Sequence, residues 1–392
     1  TGPSRLVAGM VLTASHNPQQ WCGLKCLLGL TPDAFGSAAA APPAEIAREI
    51  VERFKAHAPY AAEWNEIGSL SRSEDAVTTH VRRVLDAVVA AGISDEADSL
   101  GEGFTVCIDS VNASGVEASR LLMEAIGIDE FCHLGNGTDG IFPHAPEPTA
   151  ENLTQPGGLA DAVINTKSAV GFAQDPDADR LAIIDEKGRY IGEEYTLVLG
   201  ALAVLEAMKA RGEPTAGRTL ATNLSTSRML EDIAARYGCT VRRSAVGEAN
   251  VVSAMKADTS IIGGEGNGGV IWPRVAYVRD SLAGMLLTLS LLKNTGKPLS
   301  QIVDSIPPYA IVKRKVDLSS PAQAAAAADK VAAAFASERL DRQDGVRVDF
   351  DRERAWLHVR GSNTEPIMRL IAEAPSQAVA LRILDAAEQA IG

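Results

Sequence analysis

Short apolar segments alternate with longer segments of helical period through most of the chain. Residues 104–109 and 219–224 are apolar and predict strands, and helical patterns follow them at 116–126 and 226–237. Strands that alternate with helices at this spacing favour parallel sheets built from β–α–β units. A further apolar run at 7–14 predicts a short buried strand near the start of the chain.

The last part of the chain, after residue 308, has a different pattern. Strands are predicted close together in sequence at 346–350, 355–359 and 367–373, and a helix is predicted at 377–391. Strand-rich segments flanked by helices are typical of a small α+β domain. The expected fold class is α/β, with three α/β units that contain mixed or parallel sheets and a C-terminal α+β domain. The expected units are residues 1–100, 101–212, 213–307 and 308–392.

The composition is that of a folded, acidic protein. Of 392 residues, 46% are hydrophobic and 22% are charged, which excludes gross disorder, and the formal net charge is −13. That balance disfavours a general nucleic-acid binder, although a locally basic pocket can still take a small anion. No run of about 18 apolar residues predicts a membrane span, and no signal peptide is recognisable. The five cysteines are scattered, so we expect the cytoplasm rather than a disulfide-forming compartment.

The first candidate loop for chemistry lies at 13–18 and has the sequence Thr-Ala-Ser-His-Asn-Pro. The predicted strand ends in this turn, with His16 beside Ser15 and Lys25 ten residues later. Ser15 could act as a nucleophile if neighbouring groups take its proton and stabilise charge. These residue types are also ordinary turn formers, so a simple cap is the alternative.

The second loop, at 175–180, alternates carboxylates with other residues. Asp175, Asp177 and Asp179 can point three hard oxygen donors at one spot, which suits Mg²⁺. Arg180 stands where a calcium-binding EF-hand would have glycine, so Ca²⁺ is disfavoured and a cation is placed beside the metal instead. The alternative is a solvated acidic turn, although like charges this close repel unless a cation binds.

The third loop, at 263–269, has five glycines in seven positions, which permits close approach of the backbone to a ligand. Glu265 could accept hydrogen bonds from sugar hydroxyls, and Asn267 could both accept and donate. No Gly-Lys-Ser/Thr sequence follows, so this loop is not a nucleotide P-loop. A flexible hairpin tip is the alternative.

The fourth loop, at 360–366, combines small hydroxyl and amide side chains with Arg360, and Arg369 follows downstream. These groups can form a phosphate cradle, because the arginine fork matches two phosphate oxygens at once. The alternative is a surface turn. Together the four loops offer a serine, a divalent-metal loop, a hydroxyl-reading loop and a phosphate-binding loop. That combination suits phosphoryl transfer on a polyhydroxy substrate.

The four loops, in this order, resemble the signature loops of the α-D-phosphohexomutases. Two further stretches are similar to family segments, namely Gly23 with Lys25 and residues 142–153. The resemblance covers essentially the whole chain. It implies that the units surround a central cleft and that the C-terminal domain moves to close it.

The resemblance also implies roles for single residues. Ser15 is implied to be the phosphoserine that gives and takes the phosphoryl group, and His16 and Lys25 to serve proton transfer and charge balance, with Arg180 beside the metal. The implied ligands of Mg²⁺ are Ser15, through its phosphate, Asp175, Asp177 and Asp179. The residues implied to read the sugar hydroxyls are Glu265 and Asn267. The residues implied to bind the phosphate that is not being transferred are Arg360, Ser362, Asn363, Thr364 and Arg369.

The implied reaction interconverts hexose 6-phosphate and hexose 1-phosphate. Phosphorylated Ser15 donates its phosphoryl group to the substrate, the resulting 1,6-bisphosphate reorients, and its other phosphate returns to Ser15. Mg²⁺ and a hexose 1,6-bisphosphate activator are the implied cofactors. Small sugar phosphates are the implied partners. Whether the chain forms a homodimer is left open.

This sequence departs from the family pattern in three places. Only 14 residues precede Ser15, fewer than in the family, so we expect either that this sequence is a piece of a longer chain or that its first domain lacks the opening strands. In both cases we expect these 392 residues alone to have reduced activity. Cys22 stands where the family tends to have asparagine. The loop from Glu265 to Gly269 is the variant found in members that act on glucosamine, mannose or glucose phosphates.

Two other functions stay open. A metal-dependent phosphatase would use Asp175 as its nucleophile and would not need the serine loop. A non-catalytic sugar-phosphate-binding relic would bind a hexose phosphate without isomerising it. Replacement of Ser15 by alanine separates the first of these from a mutase, because only the mutase should lose turnover.

Overall fold

The structure is a computed structural model, and it describes residues 8–29, 39–57, 63–65, 67–318, 323–362 and 367–392. Among those residues, no helix has both the length and the apolar character needed to cross a membrane. The strands form one three-stranded, two four-stranded and one five-stranded sheet.

The first sheet is antiparallel and small, and its strand order follows the chain. Its strands are β1 (Ala8–Thr13), β2 (Gly23–Gly29) and β3 (Ala39–Ala40), and the helices α1 (Ala44–Lys55) and α2 (Ala76–Ala90) follow. The strand predicted at 7–14 is present as β1, but the prediction that it is buried was wrong, because Met10 is 63% exposed and Leu12 72% exposed. A strand is buried only where layers cover its faces, and the described residues leave both faces of β1 open.

The second sheet has the order β5-β4-β6-β7, in which the first three strands are parallel and β7 is antiparallel to β6. Its elements along the chain are β4 (Val106–Asp109), α3 (Gly115–Ala125), β5 (Cys132–Leu134), α4 (Ala150–Leu153), α5 (Leu159–Thr166), β6 (Val170–Gln174) and β7 (Leu181–Asp185). Strands β4, β6 and β7 are buried along their whole length, which is why they read as continuous apolar runs.

The third sheet repeats this plan with the order β11-β10-β8-β9, in which β11 forms an antiparallel hairpin with β10. Its elements are α6 (Glu194–Ala210), β8 (Thr219–Asn223), α7 (Met229–Arg236), β9 (Thr240–Ser244), α8 (Glu248–Asp258), β10 (Ile262–Glu265), β11 (Gly269–Ile271), α9 (Ser281–Thr295) and α10 (Leu299–Asp304). In both sheets one edge is therefore a hairpin, β6–β7 or β10–β11. The second and third candidate loops are the turns of these two hairpins.

Helices α6 and α9 join the second and third sheets into one core. They pack against each other and contact strands of both sheets. Both helices are apolar on nearly every face because protein surrounds them, as in Leu197, Leu199, Leu286 and Leu289, each fully buried. Burial of each such leucine contributes about 1.5–3 kcal/mol, so the two hairpins are held on a rigid base.

The C-terminal domain is an antiparallel five-stranded sheet with the order β12-β16-β15-β14-β13. Its elements are β12 (Ala310–Asp317), α11 (Gln323–Ala334), β13 (Arg339–Asp341), β14 (Val346–Phe350), a 3-10 turn (Asp351–Glu353), β15 (Ala355–Gly361), β16 (Ile367–Ala374) and α12 (Gln377–Ile391). Both of its helices pack on the sheet to form a separate core. The expected class, α/β units followed by a C-terminal α+β domain, is confirmed, and the sheets of the second and third units are mixed as expected. The expectation of a mixed or parallel sheet was wrong for the described strands of the first unit, which are antiparallel.

Candidate active site

The serine loop is a tight turn at the end of β1 that presents a hydroxyl group. Ser15 has a left-handed backbone (φ 50°), a conformation that costs a residue other than glycine about 1 kcal/mol. Its N–H donates to Thr13 Oγ1 (2.7 Å), and Asn17 donates from its backbone and side chain to the carbonyl of Ala14 (3.1 and 3.0 Å). Ser15 Oγ lies 3.2 Å from His16 Nδ1. The turn thus pairs a hydroxyl with an imidazole.

The serine loop is attached to the second unit by side chains on both of its flanks. Gln19 donates to the carbonyl of Gly140 (3.3 Å) and accepts from the N–H of Phe142 (3.2 Å). On β2, Lys25 Nζ makes ion pairs with Asp177 and with Asp179 Oδ2, the latter at 2.6 Å. Lys25 thus joins β2, the strand paired with β1, to the predicted metal loop at 175–180, and the charges of Arg180, Asp179 and Asp177 act on His16.

The metal loop is shaped by hydrogen bonds to its own backbone. Asp175 Oδ1 accepts from the N–H groups of Asp179 and Arg180, each at 3.1 Å. Ala178 has a left-handed backbone (φ 54°), and its carbonyl accepts from Ser281 Oγ at the start of α9 (2.6 Å). Arg180 is largely buried, with Nε 3.9 Å from oxygens of Asp175 and Asp179.

The three carboxylates of this loop fit a divalent cation. One oxygen of each of Asp175, Asp177 and Asp179 lies within 4.8 Å of the others. In the described part of the chain, one buried oxygen of each has no hydrogen-bond partner: Asp175 Oδ2, Asp177 Oδ1 and Asp179 Oδ1. Buried, unpartnered anionic oxygens are costly, and a hard cation such as Mg²⁺ satisfies all three at once.

The charges around the metal loop set the protonation of its neighbours. Burial raises the pKa of Asp175 well above its usual range, and the Asp179 and Asp177 charges add to this effect. Burial also acts to raise the pKa of Asp179, but Arg279 and Lys25 outweigh it and leave that pKa lowered. For Lys25, burial is outweighed by the two carboxylates, so its pKa is raised and it stays an ammonium ion.

His16 is the better placed of the two predicted proton carriers. Burial, followed by the Arg180 charge, lowers the pKa of His16, so its imidazole is neutral at pH 7 and can accept a proton. Lys25 is instead held as a positive charge between two carboxylates. The structure thus distinguishes a neutral imidazole at His16 from a positive charge at Lys25.

The third candidate loop, residues 263–269, lies at the tip of the β10–β11 hairpin and is called the sugar loop below. It is joined directly to the β6–β7 hairpin. The carbonyl of Gly268 accepts from the N–H of Leu181, the first residue of β7 (3.0 Å). Gly268 has φ 85°, and a Cβ there would lie 2.6 Å from the Leu181 carbonyl oxygen, so only glycine fits. The two hairpin turns therefore form one continuous surface.

Glu265 of this loop is buried and already bonded. Its Oε1 accepts from Asn223 Nδ2 (2.9 Å) and from the N–H of Gly247 (3.2 Å), and its Oε2 accepts from Arg279 Nη1 (3.1 Å). Asn267 Oδ1 accepts weakly from the N–H of Gly269 (3.3 Å). A sugar hydroxyl would thus meet a Glu265 carboxylate whose orientation is fixed by three donors.

A cavity of about 180 Å³ brings the predicted sugar and phosphate residues together. Arg360 and Arg369 are cross-strand partners on β15 and β16, and Arg360 Nε lies 2.9 Å from Asp344 Oδ2. The N–H of Ser362 donates to the carbonyl of Ile367 (2.9 Å). The charged residues that line the cavity are Glu194, Glu265, Lys313, Arg360 and Arg369. Asn363 and Thr364 lie outside the described residues.

Sequence reasoning missed two cations of this region. Arg279, just before α9, makes ion pairs with Asp179, Glu248 and Glu265. Lys313, on β12, lies 2.8 Å from Glu193 Oε1 and lines the cavity. A charged residue between an apolar strand and an apolar helix was the available signal for Arg279.

Three family models match the chain, and all are described as phosphoglucomutase/phosphomannomutase. They are alpha/beta/alpha domain II at residues 84–188, alpha/beta/alpha domain III at residues 197–309, and the C-terminal domain at residues 312–390. Together they cover both hairpin sheets and the C-terminal sheet.

Two curated relatives match almost the whole chain. A phosphoglucomutase/phosphomannomutase of Thermococcus kodakarensis is 33% identical over 378 residues, which are 96% of this chain and 77% of the relative. A probable phosphoglucosamine mutase of Methanopyrus kandleri is 32% identical over 384 residues, which are 97% of this chain and 78% of the relative. The chain therefore belongs to the α-D-phosphohexomutase family of sugar-phosphate mutases.

Solved structures share the fold at lower identity. A phosphoglucomutase/phosphomannomutase family protein of Burkholderia thailandensis has a TM-score of 0.78 at 23% identity, over 98% of this chain and 76% of that one. The Aspergillus fumigatus N-acetylphosphoglucosamine mutase, solved in complex with GlcNAc-6P and magnesium, has a TM-score of 0.60 at 14% identity, over 98% of this chain and 89% of that one.

Proposed function

We propose that this chain moves a phosphoryl group between O6 and O1 of a hexose phosphate, by way of a phosphoserine at Ser15 and a hexose 1,6-bisphosphate. The observation that carries the proposal is the pairing of two oppositely charged regions. Three carboxylates with unpartnered buried oxygens form a cluster that Lys25 joins to the strand paired with β1. A cavity at the sugar loop is lined by two arginines and a lysine, together with Glu194 and Glu265.

Asp175, Asp177 and Asp179 would hold Mg²⁺, with an oxygen of the Ser15 phosphate as a further ligand. When bound, the ion neutralises charge that develops on the phosphoryl group during transfer. The magnesium complex of the A. fumigatus relative supports this assignment. Lys25 and Arg180, which already contact these carboxylates, supply further positive charge at the same place.

His16 moves the proton at Ser15 Oγ. The Oγ–Nδ1 distance of 3.2 Å and the neutral state of the ring suit a proton relay between Ser15 Oγ and the sugar oxygen. In each transfer the attacking hydroxyl loses its proton to the ring, and the oxygen that loses the phosphoryl group receives it. Because phosphoryl transfer needs mainly position and charge stabilisation, the strained turn at Ser15 contributes by holding Oγ in one place.

Residues of the loops at 263–269 and 360–366 bind the rest of the substrate. Arg360 and Arg369, with Ser362, Asn363 and Thr364, bind the phosphate that is not being transferred, and Glu265 and Asn267 read the sugar hydroxyls. After the first transfer the bisphosphate turns round, so each of its phosphates uses each binding region once. The expected substrates are glucosamine, mannose and glucose phosphates, with hexose 1,6-bisphosphate as activator.

Phosphorus NMR tests the proposal. The chain is given Mg²⁺, a trace of glucose 1,6-bisphosphate and, in turn, the 1-phosphates of glucosamine, mannose and glucose. We expect conversion to the 6-phosphate that is lost in Ser15→Ala and kept in Ser253→Ala, an exposed helical serine whose hydroxyl bonds only the carbonyl of Ala249 among the described residues.

The outcomes separate the competing functions. Release of inorganic phosphate that survives Ser15→Ala would replace the mutase with a phosphatase that uses an aspartate. Hexose phosphate binding by the folded chain without any conversion would leave a binding protein. Serine-dependent isomerisation supports the proposal and ranks the three sugars.

A further inference from the structure

Arg279 connects three parts of the molecule through one guanidinium group. Its Nη2 lies 2.6 Å from Asp179 Oδ2 in the metal loop, its Nη1 lies 3.1 Å from Glu265 Oε2 in the sugar loop, and its Nε lies 3.1 Å from Glu248 Oε2 at the start of α8. The side chain is only 9% exposed. All three nitrogens of the fork are therefore used, each by a different element.

The local structure is built to hold this side chain. The next residue, Asp280, caps α9 by accepting from the N–H groups of Leu282 and Ala283, which fixes the backbone on one side. On the other side the aliphatic part of Arg279 lies over Gly269, where a Cβ would overlap Arg279 Cδ. Glycine at 269 thus leaves the room that the arginine occupies.

The contact with Asp179 divides that carboxylate between two tasks. Its Oδ2 receives Arg279 Nη2 and Lys25 Nζ, each at 2.6 Å, whereas its buried Oδ1 has no hydrogen-bond partner among the described residues. Arg279 therefore occupies Oδ2 and leaves Oδ1, one of the three unpartnered oxygens of the carboxylate cluster, for a cation. The same positive charge repels that cation.

We propose that Arg279 is a positioning residue that holds the metal loop against the sugar loop. Its positive charge at the same time weakens the binding of a cation to the metal loop. The effect of Arg279 on turnover rests on the proposed function, whereas its effect on cation affinity does not. It follows that loss of the guanidinium should tighten cation binding while it slows turnover. A residue that only keeps the fold intact would weaken both together.

The test uses Arg279→Met, which keeps the aliphatic volume and removes the charge. Mg²⁺ is titrated into the full chain without substrate by calorimetry, and kcat and KM are then measured with a hexose 1-phosphate. We expect about threefold to tenfold tighter Mg²⁺ binding, kcat lower by about 100-fold, and a raised KM. Mg²⁺ binding that is unchanged or weaker in a folded Arg279→Met chain would overturn the proposal.

Arg279→Lys keeps the experiment decisive if the methionine variant does not fold. A lysine restores the charge but reaches only one of the three carboxylates at a time. We expect Mg²⁺ affinity near that of the unchanged chain with kcat lower by about tenfold, and an unchanged kcat would contradict the proposal. Arg189→Met is the matched control, because Arg189 also joins two carboxylates, Asp185 and Asp304, away from both loops.

The two proposals fail in different ways. If the unchanged chain shows no mutase turnover, the proposed function fails, but the Mg²⁺ titrations still report whether Arg279 opposes the cation. If turnover is present and Arg279→Met binds Mg²⁺ less tightly, only the positioning role fails.

Discussion

The two ends of the candidate site differ in the sign of their unmatched charge. At the acidic end, Asp175, Asp177 and Asp179 each keep a buried oxygen without a hydrogen-bond partner in the described residues. At the basic end, Arg369 has no ion-pair partner within the same part of the chain, and Lys313 and Arg360 lie on the same cavity. The acidic end is therefore suited to a cation and the basic end to an anion. A metal-assisted enzyme that acts on sugar phosphates needs both.

The two ends also differ in how firmly they are built. The acidic end is the turn of a buried hairpin, joined by Gly268 to the neighbouring hairpin and by Arg279 to Glu265 of the sugar loop and Glu248 of α8. The basic end lies on β15 and β16, where Arg369 is exposed. A firmly held group affects the rate, whereas an exposed binding group affects substrate affinity. Changes at the acidic end should therefore lower kcat, and changes at the basic end should raise KM.

Asp177→Asn should give the largest effect. It removes one of the three carboxylate charges while keeping the size of the side chain, so we expect kcat to fall by about 10³-fold and Mg²⁺ binding to be lost in calorimetry. Asp161→Asn is the control, because among the described residues Asp161 accepts only one backbone N–H, from Gly157, and it lies in a helix outside the site. If Asp177→Asn keeps both properties, the acidic end is not a metal site.

His358 should make the basic end sensitive to acid. This buried histidine bonds Ser225 Oγ and the carbonyl of Asp344, each at 2.7 Å, and burial lowers its pKa to about 4. Because the unfolded chain, with a histidine pKa near 6.5, binds the proton first, stability is full above pH 6.5 and falls toward pH 4 by on the order of 3 kcal/mol.

Urea unfolding at pH 7.5 and pH 5 measures this dependence. His358→Gln should lose less free energy of unfolding between the two pH values than the unchanged chain, whereas His57→Gln, at an exposed histidine, should not differ from it. Equal losses in all three chains would mean that His358 does not carry the acid sensitivity of the basic end.

Arg369→Gln should separate substrate affinity from rate. A hydrogen bond between charged groups contributes about 1.5–3 kcal/mol, so we expect KM for a hexose monophosphate to rise by about tenfold to 100-fold, with kcat changed much less. Arg314→Gln, which removes an arginine paired with Asp385 and Glu388 in the same domain, should change neither value. A fall in kcat without a change in KM would reverse the roles of the two ends.

His80 should give the smallest effect, with a pH dependence opposite in sign to that of His358. Its Nε2 lies 3.1 Å from Oδ2 of Asp280, the residue next to Arg279, and the Asp280 charge raises its pKa. The pair stabilises fully below pH 6.5 and loses this contribution as the pH rises through the raised pKa. Because His80 is partly exposed, we expect less than about 1 kcal/mol, read as the difference between the unchanged chain and His80→Gln at pH 6 and pH 8.

Local patterns in the sequence were enough for much of the site. Alternation of Asp175, Asp177 and Asp179 predicted a carboxylate cluster because residues in one tight turn stay close whatever the fold. Arg279 and Lys313 were missed because their acidic partners, Asp179 and Glu193, lie 100 and 120 residues away in sequence. Only the packing of the sheets brings such pairs together.

The same limit explains the error at β1. The apolar run at 7–14 correctly predicts a strand. Its burial depends on which other elements pack on it, and the residues of the run do not determine those elements. The alternating strands and helices of the second and third units were easier to interpret, because these strands and helices pack on each other and so bury one another. Fold class therefore followed from periodicity, whereas exposure did not.

The most direct test of the account is to find where the phosphoryl group is carried. The chain is mixed with Mg²⁺ and glucose 1,6-bisphosphate, quenched in acid, digested and examined by tandem mass spectrometry. We expect one added phosphoryl group on Ser15, absent from Ser15→Ala. A phosphoryl group on Asp175, or none on a chain that still isomerises the sugar, would contradict it.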